Sequence, residues 1–92
     1  MQAKQLVKMY TSASFKAPPF LQNATDNYVM LTAHLHTMQN LHAQTPSFLT
    51  RCTITNALNV ASKLHARYAN CKNFKPQQAA LMLQQQRIKL IK

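Results

Sequence analysis

Apolar and polar residues alternate along this chain with helical spacing in four stretches. Over residues 2–14, Ala3, Leu6, Val7, Met9, Tyr10 and Ala13 share one side of a helical wheel, while Lys4 and Lys8 stand together opposite. Over residues 26–44, Tyr28, Leu31, Leu35, Met38 and His42 recur at intervals of three and four. A second stripe, Met30, His34, Thr37 and Leu41, lies beside the first and makes the apolar face broad. The third stretch, 46–71, carries Ile54, Ala57, Leu58, Ala61, Leu64, Tyr68 and Cys71 on one side. In the last, 76–91, Ala80, Leu81, Ile88 and Ile91 gather on one side and Ala79, Leu83 and Leu90 nearly opposite. A helix apolar on two sides is one packed between two neighbours.

The boundaries between these stretches have local chemical causes. Pro18-Pro19, within Lys16–Leu21, removes backbone donors and favours extended backbone, so 17–25 reads as a linker. Thr25 or Asp26 is the expected N-cap of the second helix, with the carboxylate at its positive end. Thr45-Pro46 reads as an N-cap followed by proline at the first helical position, and Pro76 suits the same position in the last helix. Thr50, Thr53, Ile54 and Thr55 are β-branched and weaken the start of the third helix, so a short extended segment before about residue 56 is an alternative there. The expectation is one all-α subunit of three to four helices, about 2–14, 26–44, 46–71 and 76–91, open rather than self-sufficient and packed on partners.

Composition sharpens this picture. The 92 residues contain no glycine, the residue that supplies positive φ in tight hairpins and helix C-caps. That disfavours compact all-β and α/β folds. Asp26 is the only acidic side chain against eleven Lys and Arg, giving a net charge of +10. Such a field calls for a polyanion, an acidic partner or anionic lipid head groups. Residues 17–50 hold no Lys or Arg at all, whereas residues 51–92 hold eight. A nearly uncharged middle is poor solvent-facing material and reads as buried against something.

The same composition closes several functional classes. Acid–base catalysis by paired carboxylates requires two, and phosphate-cradling loops require glycine at fixed places. His34-x-His36 would point to nearly opposite sides of a helix, and no cysteine or carboxylate stands near these histidines in sequence, so neither metal, cofactor nor catalytic residues are expected. Cys52 and Cys71 on one helix would lie too far apart for a disulfide and read as reduced thiols. No run approaches the ~20 apolar residues of a membrane span.

Residues 1–16, basic, amphipathic, hydroxyl-rich and acid-free, resemble a mitochondrial targeting presequence, although the segment lacks arginine. The competing reading is an ordinary N-terminal helix docked on a neighbour. Together these features point to a non-enzymatic structural accessory subunit of a large mitochondrial assembly, in the matrix or on the matrix side of the inner membrane. A ribosome-type particle is the leading expectation, with Lys63, Arg67, Lys72, Lys75, Arg87, Lys89 and Lys92 contacting rRNA phosphate. Tyr68 and Phe74, set among these cations, are either stacking platforms for bases or packing aromatics. Leu31, Leu35, Met38, Leu81, Leu83, Ile88 and Leu90 are the expected partner-packing positions. The alternative is an accessory subunit of a respiratory-chain or ATP-synthase complex, its basic ends near anionic lipid or acidic subunits.

Overall fold

A computed structural model describes residues 2–17 and 23–91, with side chains through Gln86. The described residues form four helices and no strand: α1 (Ala3–Thr11), α2 (Ala24–Gln44), α3 (Phe48–Ala69) and α4 (Pro76–Ile91). Pro18-Pro19 and Lys92 fall outside what is described, as do the side chains of Arg87, Ile88, Lys89 and Leu90. α2 is the common support. It packs along α3, takes α1 into the groove the two create, and carries α4 on another side. The result is a plate of 39 × 35 × 17 Å.

The core follows the apolar stripes. α3 contributes Ile54, Ala57, Ala61, Leu64 and Tyr68, each buried, at intervals of three and four. Ala57 and Ala61 are wholly inaccessible, and their small side chains leave room for a close helix neighbour. α2 contributes Ala24, Leu31 and Met38 from one face, with Tyr28 and Leu35 partly buried beside them. Leu6, Val7 and Tyr10 of α1 close the cluster, so this segment is a docked helix of the same chain. The assignment of Leu31 and Met38 to partner contact is therefore corrected: at 1% and 0% exposure they are occupied by the chain's own α1–α3 packing. Leu35 is partly buried against the same core.

Among the described side chains, α4 meets α2 through the side that carries Ala79 and Leu83. Ala79 is buried and Leu83 half-buried where α4 meets α2, whereas Leu81 is 60% exposed. The α2 face that receives it includes Thr32, Ala33, His36, Thr37 and Asn40, a mostly polar set that carries little helical hydrophobic signal.

Several boundaries differ from expectation. Neither Thr25 nor Asp26 caps α2; Asn23 does, in the left-handed region at φ 55°, with no side-chain cap bond. Asparagine tolerates that region, and without glycine it is the natural occupant. Pro46 does not open α3. Thr45 instead ends α2, its hydroxyl donating to Leu41 O at 2.6 Å, and Ser47 caps α3 by accepting from Thr50 N at 3.4 Å. The β-branched start of α3 is helical, and Thr53 and Thr55 turn their hydroxyls back onto the carbonyls of Leu49 and Arg51. Pro76 does open α4.

Glycine is also replaced at the helix ends. α1, α2 and α3 each close with an N–H bonded three residues back: Ser12 to Met9, Thr45 to His42 and Asn70 to Arg67. These tight turns satisfy terminal carbonyls without a left-handed residue.

Thr25 has a different role. It is buried, and its Oγ1 accepts the backbone N–H of Lys75 at 2.9 Å, across fifty positions of sequence. Lys75 immediately precedes α4, so a side chain in the first turn of α2 satisfies a donor at the start of α4. Thr25→Val keeps the shape and removes the acceptor. We expect it to cost about 1 kcal/mol in denaturant unfolding and to raise amide exchange at Lys75, while Thr25→Ser stays near wild type. Equal stability of the Val and Ser variants would show that the bond contributes nothing.

Candidate polyanion interface

The sequence-predicted cations that the structure describes occupy one end of the plate. On the last two turns of α3, Leu64 and Tyr68 face the core, which turns Lys63 and Arg67, one turn apart, to solvent. α3 then ends in successive tight turns. The N–H groups of Asn70 and Cys71 reach back to Arg67 and Tyr68, and Phe74 N–H to Cys71 O at 3.1 Å. Lys72 and Lys75 stand exposed on this connection. Cations just past a helix C-terminus also complement the negative end of its dipole, so part of their placement is local electrostatics.

The connection is held at two points. Phe74 packs on Tyr28 with ring centroids 4.8 Å apart, and Thr25 holds the Lys75 amide. Tyr28 in turn stacks on His65 at 4.0 Å and 20°. Tyr68 is fully buried and Phe74 partly buried, so both are packing aromatics; Tyr68 has no face to offer a base. The edge is not uniformly basic. Asp26 lines the same hollow as Lys75, together with Asn23, Asn73 and Gln78, at the meeting of the α2 and α4 N-termini.

His65 was not legible as important from sequence, yet it ties two helices. Thr32 Oγ1 donates to Tyr28 O at 2.9 Å and lies 2.8 Å from His65 Nε2. Through this hydroxyl, His65 on α3 is joined to α2. The signal was positional: His65 lies seven residues beyond Leu58, on the flank of the buried stripe. His34 makes the matching link to α1, its Nδ1 2.8 Å from the Tyr10 hydroxyl. His36 is exposed and lines the hollow beside Leu83 and Gln86, so His34 and His36 face different surroundings.

The thiols of Cys52 and Cys71 are both free, and Cys71 donates to Arg67 O at 3.3 Å. Among the described residues no group of three or more His, Cys, Asp or Glu side chains lies together. Nor is any helix there long and apolar enough to cross a membrane. Compared with family models, curated proteins and solved structures, the chain matches none.

The two histidine links titrate in a definite direction. Burial lowers the pKa of both His34 and His65 below the usual 6.5. Burial also raises Tyr10 from 10.0 to about 12, with Tyr68 adding to the effect. As pH falls below 6.5 the unfolded chain takes up protons that the folded chain resists, so stability falls. As pH rises from 10 towards 12 the unfolded Tyr10 ionises first, and stability falls again. Thermal unfolding should therefore show a plateau between about pH 6.5 and 10, with His65→Gln reducing the acid-side slope. An acid limb as steep as that of wild type in both His34→Gln and His65→Gln would contradict this assignment.

Proposed function

We propose that the chain is a non-catalytic structural subunit of a large mitochondrial assembly, a ribosome-type particle in which the end of α3 and the α3–α4 connection lie against RNA phosphate. The observation that carries this reading is the set Lys63, Arg67, Lys72 and Lys75, all exposed, on a backbone held by Phe74 and Thr25. Phosphate contact requires cations on flexible stems and no base-specific donors or acceptors. A net charge of +10 with one acidic side chain adds a long-range attraction to any polyanion. The small size of the chain supports a role inside a larger body, because short chains bury a smaller fraction of their own surface.

A second reading has its own support. Phe48 and Leu49, at the start of α3, are 74% and 78% exposed, and Leu81 on α4 is 60% exposed. Apolar side chains presented in this way suit cover by protein neighbours, as in an accessory subunit of a respiratory-chain or ATP-synthase complex. In that reading the basic edge meets acidic subunits or lipid head groups.

Replacing Lys63, Arg67, Lys72 and Lys75 together by Gln tests the first reading. Each phosphate that a cation neutralises adds about 0.7–0.9 to the steepness of log affinity against log salt, so binding to mixed-sequence RNA should flatten by roughly three units with helix content unchanged. An unaltered slope would remove this edge as the RNA contact. RNA binding that is weak in the wild type, with assembly incorporation abolished by Phe48→Asp or Leu49→Asp, would favour the second reading.

A further inference from the structure

A groove of about 410 Å³ runs between α1, the end of α2 and the start of α3. Leu41, half-buried, gives its floor most of its accessible apolar surface, with Val7 and Ile54 buried at its base, and Lys4 and Lys8 stand exposed on its α1 side. Thr45 and Thr53 contribute to the opposite wall, and both hydroxyl protons are committed to helix carbonyls, those of Leu41 and Leu49. No carboxylate lines the groove; Asp26 belongs to the hollow beside Lys75 and Gln78. Two ammonium groups one helical turn apart repel each other, and an anion between them relieves that repulsion.

The walls decide what kind of anion fits. They belong to helices, whose backbone N–H and C=O groups bond internally, so an extended peptide entering the groove would lose water from its own amides and find no partners. A partner helix, about 10 Å across, would rest on the rim rather than enter. A hydrocarbon chain brings no polar groups to the floor, and an acidic head at its end meets the lysines. We propose that this groove binds a single-chain anionic amphiphile of the fatty-acid carboxylate class. The acyl chain lies over Leu41 and the methyl groups of Thr50 and Thr53, above the buried Val7 and Ile54, and the carboxylate sits between Lys4 and Lys8. The site goes beyond the function proposed above, since ten residues of α3, about 15 Å, separate Thr53 from Lys63.

Calorimetric titration of the full chain with sodium dodecanoate, below its micelle-forming concentration, tests this. We expect one molecule bound per chain, with methyl carbon shifts concentrated at Val7, Leu41 and Ile54. Dodecyltrimethylammonium, with the same tail and opposite charge, should not compete. Lys4→Gln with Lys8→Gln should weaken dodecanoate by about tenfold. Thr53→Trp, at an exposed wall position, should weaken it at least as much while circular dichroism stays helical. The Lys63, Arg67, Lys72 and Lys75 to Gln variant should bind dodecanoate as wild type does, which separates this result from the RNA reading. Equal affinity for the cationic analogue, or dodecanoate binding unmoved by both groove variants, would overturn the proposal. Binding to phosphatidylglycerol vesicles without binding to free dodecanoate would also overturn it, by making the surface a membrane contact.

Discussion

With a single acidic side chain, this chain has almost no internal counter-charge, so its helices must be registered by other means. Shape does most of it, through the interlocking of Ala57 and Ala61 with the broad face of α2. Neutral hydrogen bonds add to it, and three of those among the described residues each join a different pair of elements. Tyr10 and His34 link α1 to α2, Thr32 and His65 link α2 to α3, and Thr25 and the Lys75 amide link α2 to the start of α4. All three converge on α2. A neutral hydrogen bond is directional and is screened by salt far less than an ion pair between exposed charges. The positive charge is thus left on the surface, free to act on whatever the protein meets.

How much of this was visible in the sequence depended on whether the signal was periodic. The α3 stripe from Ile54 to Tyr68 was legible because spacing alone defines a buried face, and α1's inner side was legible for the same reason. The α4 docking face of α2 was not, since Thr32, Ala33, His36 and Asn40 belong to neither apolar stripe. Capping was partly misread. Thr45-Pro46 carries the residues of a helix start, but the Thr45 hydroxyl finds Leu41 O and ends the previous helix. Thr25 looked like a local cap, and its acceptor serves a donor fifty positions away. No local pattern encodes a partner at that distance.

The candidate interface divides in the same way. Lys63 and Arg67 were placed on one exposed face by helical spacing, but the posture of Lys72 and Lys75 depends on Phe74 reaching Tyr28. The choice between stacking and packing for Tyr68 needed tertiary information, since a tyrosine among cations reads alike in both settings. The same holds for Leu31 and Met38, which an uncharged middle segment suggests are offered outward and which the chain uses inside itself.

Among the described side chains, the main core cluster, from Leu6 to Tyr68, takes none from α4. During synthesis, the chain therefore carries every member of that cluster before the residues of α4 have been made. Domains tend to form as their amino-terminal parts become available. Here α1, α2 and α3 have what they need to close first, with the Thr25 hydroxyl already in position when Lys75 arrives. The final helix is then an addition to a finished surface rather than a participant in building it. Of the four helices, it is the one that can be detached with the least disturbance to the others.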